Sequence, residues 1–144
     1  ILNYLTRATV HELFILEVEE ILQEEMSILV TAIRSGNLEV VKEKFARPGS
    51  QVNTPIQHGR SPLHIAIQAG KMDVMKYLVA KGADVNLSDE DDCSPLYYAV
   101  LDNNEEVVQY LLQMGADPDG EDPDGNKLIN TTSNEKIKSM LKNV

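Results

Sequence analysis

The chain has 144 residues, 42% hydrophobic and 25% charged, a composition typical of one soluble globular domain rather than a disordered chain. Its formal net charge of −10 argues against binding to a nucleic-acid backbone or an anionic membrane, and its apolar runs are too short to span a bilayer. A single cysteine, Cys93, excludes an internal disulfide and a multi-cysteine metal site, and favours a reducing, cytoplasmic location.

The first predicted element is a long amphipathic helix within residues 1–25. Thr9 and Glu12 have the spacing of a capping box at its start. An apolar stripe at helical spacing follows, made of Val10, Leu13, Phe14, Val18, Ile21 and Leu22. We expect this helix to cap the repeated units that follow it, and the alternative is that it recruits a partner helix.

From residue 26 to residue 144 the chain repeats with a period of about 33 residues. The segment SPL at 61–63 recurs at 94–96, and GAD at 82–84 recurs at 115–117. Such a fixed period predicts stacked units rather than one closed core. The units are a degenerate one at 27–55, two regular ones at 56–88 and 89–121, and a truncated one at 122–144.

Each regular unit is predicted to contain two short helices. Ser61 is a suitable N-cap and Pro62 suits the first helical turn. Gly70 ends this helix in a left-handed conformation, and Asn103 does the same in the next unit. In the last unit Lys127 and Leu128 replace Ser-Pro, which is typical of the end of a stack.

The period, SPLHIA at 61–66 and GADVN at 82–86 together resemble the ankyrin-repeat family. This resemblance implies an all-α solenoid whose helix pairs are joined by β-hairpin-like loops. It also implies a protein-binding role for the loop tips and the concave inner helices, with neither catalytic machinery nor a cofactor. His64 occupies the place of a histidine with a structural hydrogen-bonding role in the family. Asp92 replaces the usual hairpin glycine, and Pro118 replaces the valine of GADVN.

The negative charge of the chain is concentrated in one region. Residues 82–126 contain 13 acidic residues and no lysine or arginine, whereas the other 99 residues contain 13 basic and 10 acidic ones. The acidic run at 89–92 is Asp89, Glu90, Asp91 and Asp92, and the next unit has Glu121, Asp122 and Asp124 at the same place. In the ankyrin geometry these loops are neighbours, so their field would attract a basic partner. The alternative is a pair of solvated turns.

Apolar anchors for a partner are predicted on the helix after the acidic run. Tyr97 is expected to fill the core, whereas Tyr98, Leu101 and Asp102 are candidates for contact. The corresponding candidates on the preceding repeat are Gln57, His58, Arg60 and Gln68.

Catalytic and metal-binding interpretations find little support. The three histidines share no metal-ligand spacing, and Cys93 is expected to be exposed, with a thiol pKa raised by the carboxylates around it. No register of DPDGEDPDG matches the ligand pattern of a calcium-binding loop, which leaves weak binding of a cation as an alternative.

The sequence therefore predicts a non-catalytic module, monomeric when unbound, that binds a protein with a basic patch through its concave face and acidic loop tips. The alternative is a structural linker whose N-terminal helix makes the functional contact.

Overall fold

The computed structural model describes residues 2–143, with the side chains of residue 7 and of residues 9–143. This part of the chain forms eight α-helices and no β-strand, which confirms the predicted all-α class. The helices are α1 (Leu2–Ser35), α2 (Leu38–Phe45), α3 (Pro62–Gln68), α4 (Met72–Ala80), α5 (Pro95–Leu101), α6 (Glu105–Gln113), α7 (Leu128–Thr131) and α8 (Glu135–Lys142). None of them is long and apolar enough to cross a membrane.

The helices stack as consecutive antiparallel pairs. The first members of the pairs form one layer, in which α1 contacts α3, α3 contacts α5 and α5 contacts α7. In the second layer α2 contacts α4, and α6 contacts α8. One continuous apolar core runs through the stack, from Ile33 in α1 to Ile137 in α8, both fully buried. The predicted solenoid is confirmed.

The helix ends follow the predicted chemistry. The hydroxyl of Ser61 accepts the backbone N–H of His64, and Ser94 accepts that of Tyr97. Gly70 and Asn103 end α3 and α5 with φ angles of 67° and 55°, in the left-handed region. The last unit lacks the N-terminal cap that Ser61 and Ser94 provide. Lys127 makes no side-chain hydrogen bond at the start of α7, and α7 is only 4 residues long.

The N-terminal helix differs from its prediction. α1 begins at Leu2, so Thr9 lies inside it and the capping box predicted at Thr9 and Glu12 is wrong. No glycine or proline occurs before Gly36, and α1 therefore continues without a break from the predicted N-terminal segment into the first repeat. The division between residues 25 and 26 stays a prediction. The outermost residues of the predicted ranges, 1 and 144, lie outside the described residues.

The apolar side chains of this N-terminal segment do not cover the first repeat in the structure. Val10 is 64% exposed, Phe14 62% and Leu22 52%. A helix of 34 residues is about 51 Å long. Because the same helix supplies the first layer of the first repeat, its N-terminal part extends away from that repeat instead of folding over it.

Candidate functional site

The candidate surface is built from three neighbouring hairpin loops, at residues 56–60, 89–93 and 121–127. The first is closed by a bridge between Gln57 and Arg60, and the third by a bridge between Glu121 and Lys127. In the second, the N–H of Asp89 donates to the carbonyl of Cys93 at 3.0 Å. Each loop leads directly into a helix of the first layer: α3, α5 or α7.

Asp92 takes the backbone conformation that glycine has in the other two loops. Its φ angle is 57°, against 69° at Gly59 and 82° at Gly125. Aspartate tolerates this left-handed region better than most residues because its short side chain interferes little there. The hairpin therefore keeps its shape without glycine, at some cost in backbone strain.

Asp89 is buried, which corrects its predicted place on the partner surface. One carboxylate oxygen accepts the backbone N–H groups of Asp91 and Cys93, both at 3.0 Å. The other accepts the hydroxyl of Tyr98 and lies 3.7 Å from Nε of Arg60. Burial alone would raise the pKa of Asp89, but the hydrogen bonds from Tyr98, Cys93 and Asp91 outweigh it and hold the pKa below its usual value. Asp89 thus has a structural role: its hydrogen bonds with Asp91, Cys93 and Tyr98 hold the second hairpin in shape, and we call this set of bonds the Asp89 clamp.

Tyr98 is also buried, at 7% exposure, so its prediction as an exposed anchor is wrong. Burial, followed by the hydrogen bond to Asp89, raises the pKa of the Tyr98 hydroxyl far above its ordinary value, and the side chain remains a neutral donor. Tyr97, expected in the core, is only partly buried and packs at the edge of the core. The burial predicted for Tyr97 is therefore found at Tyr98.

Asp122 repeats the role of Asp89 in the third loop. Its carboxylate accepts the N–H of Asp124 at 3.0 Å and that of Asn126 at 2.8 Å, the same +2 and +4 pattern. The hydrogen bond from the backbone of Asn126 is the main reason that the pKa of Asp122 is lowered. Asp122 is partly exposed, so its charge still contributes to the surface.

The other acidic residues of the two loops are exposed and make no ion pair in the described part of the chain. They are Glu90, Asp91, Asp92, Glu121 and Asp124. The first and second loops lie close together: a Cβ atom on Gly59 would stand 2.1 Å from Cγ of Glu90. The third loop leads into α7, which contacts α5 of the second repeat. Besides burial, the charges of Cys93, Asp122 and Asp124 raise the pKa of Tyr97 on α5.

The remaining predicted residues lie on or beside α3 and α5. Leu101 is 64% exposed at the end of α5, and Asp102 next to it is also exposed. His58 and Gln68 are exposed, whereas Gln57 and Arg60 are partly buried. Arg34 of α1, which sequence reasoning missed, donates to the side-chain oxygen of Gln57 at 2.7 Å. The ionisable side chains of the first hairpin are those of His58 and Arg60; the second hairpin exposes only acidic ones in the described residues, and the third exposes Glu121 and Asp124 together with Lys127.

The chemically reactive side chains serve the fold. His64 is fully buried: Nδ1 lies 2.8 Å from the Ser61 hydroxyl and Nε2 lies 3.1 Å from the carbonyl of Cys93, which confirms its structural role. Burial lowers the pKa of His64. Cys93 is 6% exposed, so its predicted exposure is wrong, and burial raises the pKa of its thiol. Within residues 2–143, no cluster of three or more His, Cys, Asp or Glu side chains suits a metal ion.

Two asparagines at the family's GADVN position tie successive loops together. Asn86 donates to the carbonyl of Gly115 at 3.0 Å and accepts the N–H of Asp117 at 2.8 Å. Asn53 makes the equivalent contacts with Gly82 and Asp84. Sequence reasoning did not assign this role, although the recurrence of asparagine after 33 residues carried the signal.

Comparisons with known proteins agree with this architecture. The family described as "Ankyrin repeats (3 copies)" matches residues 4–89 and 29–122. Myotrophin of Xenopus tropicalis is 57% identical over 112 residues, which are 78% of this chain and 94% of myotrophin. Protein phosphatase 1 regulatory subunit 27 of Homo sapiens is 39% identical over 59 residues, which are 41% of this chain and 38% of that subunit. The Mus musculus subunit has the same values.

Proposed function

The chain belongs to the ankyrin-repeat family, and from that premise we propose that it is a non-catalytic module that binds a basic surface of another protein through its acidic hairpin loops and concave helix layer. Membership of this family supports a role in protein interaction. The name of one relative, a regulatory subunit of a phosphatase, is compatible with such a role, and the partner of this chain is proposed here only by its chemistry.

The observation that carries the proposal is a set of exposed carboxylates on two neighbouring hairpin loops, none of which makes an ion pair in the described residues. They are Glu90, Asp91 and Asp92 in the second loop and Glu121 and Asp124 in the third. Charges of one sign on adjacent loops add to a field that reaches about 10 Å at moderate salt. Such a field increases the rate of encounter with a cationic partner and disfavours anionic ones.

Charge alone seldom gives tight binding, so the proposal also needs an apolar anchor. Leu101 is suited to this role, because it is 64% exposed on the layer that follows the second loop. The half-buried ring of Tyr97 lies at the start of the same helix, on the side of the third loop. With Tyr98 buried, we propose Leu101 and Tyr97 as the anchors, bordered by Asp102.

The non-catalytic part of the proposal is supported by the state of the reactive side chains. His64 on α3 is buried between the Ser61 hydroxyl and the carbonyl of Cys93, and the buried thiol of Cys93 donates to the carbonyl of Asp91. A nucleophile or a general base must reach a substrate, and these two do not reach the surface.

The test is affinity capture at low and moderate salt, followed by measurement of the association rate for the retained partner. The variant Glu90→Gln/Asp91→Asn/Asp92→Asn removes three exposed charges and leaves the buried Asp89 in place. The matched control, Glu17→Gln/Glu20→Gln/Glu24→Gln, removes three exposed charges from α1. We expect association with a basic partner to slow by about tenfold at low salt in the loop variant only. Equal association rates for the two variants would contradict the proposal.

A further inference from the structure

The N-terminal part of α1 exposes more apolar surface than any other helix in the described residues. All ten large apolar side chains from Val10 to Ile28 are 38–64% exposed. By contrast, α3 and α5 bury nearly all of theirs. A contiguous apolar surface of this kind normally meets another molecule.

Part of this surface is a direct continuation of the core. Positions seven residues apart on a helix lie within about 20° of each other. Ile15 and Leu22 therefore share a face with Leu29, which is 3% exposed, and Met26 shares a face with Ile33, which is fully buried. We call Ile15, Val18, Leu22 and Met26 the α1 stripe. The continuation of this face toward the C-terminus packs into the core beside α2 and α3, whereas no element of the described residues covers the stripe itself.

The charges around the α1 stripe determine what fits it. Between Arg7 and Arg34 there are six glutamates and no lysine or arginine. Of these glutamates, Glu25 alone has an ion pair in the described residues, with Lys44 of α2 at 3.0 Å. At 100° per residue, Glu12, Glu19 and Glu25 border the α1 stripe, whereas Glu17, Glu20 and Glu24 lie on the opposite face of the helix. A second copy of the chain would bring its own bordering glutamates against these, and an anionic lipid surface would be repelled in the same way.

From this geometry we propose that the α1 stripe docks an amphipathic helix of a partner protein whose own apolar stripe is flanked by lysine and arginine. The partner helix lies along α1 and continues the helix-on-helix packing that Leu29 and Ile33 make within the core. The exposed apolar range from Val10 to Ile28 is about 27 Å long, which corresponds to a partner helix of about 18 residues. This contact is independent of the hairpin loops, so either surface binds without the other.

The test uses the full chain and a synthetic 20-residue helical peptide with a leucine stripe flanked by lysines. A second peptide with the same stripe and glutamate flanks is the charge control. The variant Leu22→Ser/Met26→Ser removes two apolar side chains from the stripe. The variant Leu13→Ser/Leu16→Ser removes two side chains that are at least as exposed from the opposite side of the same helix. Calorimetry or fluorescence anisotropy gives the affinities, and circular dichroism confirms that both variants are folded.

We expect the stripe variant to lose at least 30-fold in affinity for the lysine-flanked peptide and the opposite-side variant less than threefold. We expect the glutamate-flanked peptide to bind at least tenfold more weakly to the wild type. Equal losses in the two variants overturn the proposal. So does a dimer at neutral pH that depends on Leu22 and Met26, or binding to phosphatidylcholine vesicles without binding to the peptide. If only the 90–92 loop variant lost affinity, the peptide would occupy the hairpin surface instead.

Discussion

At the scale of single residues, four adjacent carboxylates divide into one with a structural role and three with free side chains. Asp89 uses both oxygens inside the protein, whereas Glu90, Asp91 and Asp92 are exposed. The difference follows from position in the turn: the first residue of the hairpin faces the N–H groups two and four residues later. Asp122 is related to Asp89 by the repeat and makes the same pair of bonds.

The variant Tyr98→Phe tests the Asp89 clamp. It removes the hydroxyl that donates to the buried carboxylate, and we expect it to lower the free energy of unfolding at pH 7 by about 2 kcal/mol. Because the pKa of Asp89 is lowered in the folded state, its contribution to stability is present above its unfolded pKa of 3.8 and is lost as the pH falls below it. Urea unfolding should therefore show the cost of the substitution at pH 7 and a smaller cost in strong acid. Tyr97→Phe is the matched control, and a similar loss in that variant would contradict the clamp.

At the scale of elements, the short helices were predictable because local chemistry fixes both of their ends. Ser61 and Ser94 start their helices and Gly70 and Asn103 end them, each through its own side chain or backbone conformation. The start of α1 was not predictable in the same way. Thr9 has capping chemistry, but nothing before it breaks a helix, and a long apolar and acidic sequence propagates helix in both directions.

The burial of Tyr98 instead of Tyr97 shows a second reason why part of the structure was not predicted from the sequence. By the 33-residue period Tyr97 aligns with His64 of the preceding repeat, which is fully buried, yet Tyr97 is only partly buried. Tyr98 aligns with Ile65, which is 1% exposed, and this alignment gives the correct burial. The partner that accepts the Tyr98 hydroxyl, Asp89, comes from the adjacent hairpin, and its carboxylate was itself expected to be exposed. The two errors therefore have one cause: side-chain contacts between loop and helix are set by the stack and not by either segment alone.

The hydrogen bonds of Asn86 to the next loop lead to a prediction about how successive repeats are held together. Asn86→Ala removes two hydrogen bonds to the next repeat, and we expect a loss of about 1–2 kcal/mol in the free energy of unfolding. Within the described residues, the side chain of Asp119, at the same place one repeat later, makes only an ion pair with Lys127 at 3.6 Å, whereas its backbone N–H donates to Asp117. Asp119→Ala should cost much less, because an exposed ion pair contributes little. Urea unfolding measures both, and equal costs would show that the contacts between loops do not hold the repeats together.

At the scale of the whole molecule, the acidic residues are concentrated in two regions of one chain. Residues 82–126 hold 13 acidic residues, and the segment between Arg7 and Arg34 holds six, each without lysine or arginine. Apart from Arg7, the basic residues lie between these regions and at the C-terminal end. Such segregation leaves like charges close together, which destabilises the folded state by an amount that depends on salt.

This arrangement predicts that the hairpin carboxylates favour binding of a basic partner but lower the stability of the fold. The variant Glu90→Gln/Asp91→Asn/Asp92→Asn should raise the thermal midpoint by about 2 °C or more at low salt, because it relieves repulsion within a run of adjacent charges. At 1 M salt, where the screening length is about 3 Å, the difference from the wild type should nearly vanish. The α1 variant Glu17→Gln/Glu20→Gln/Glu24→Gln changes the net charge equally, but its charges are spread along a helix, so a smaller gain is expected. Calorimetry at both salt concentrations distinguishes these outcomes. A lower thermal midpoint in the loop variant, or the same increase in both variants, would contradict this prediction. It would mean that repulsion among the carboxylates at 90–92 does not destabilise the folded state, so that a basic partner would have no such repulsion to relieve.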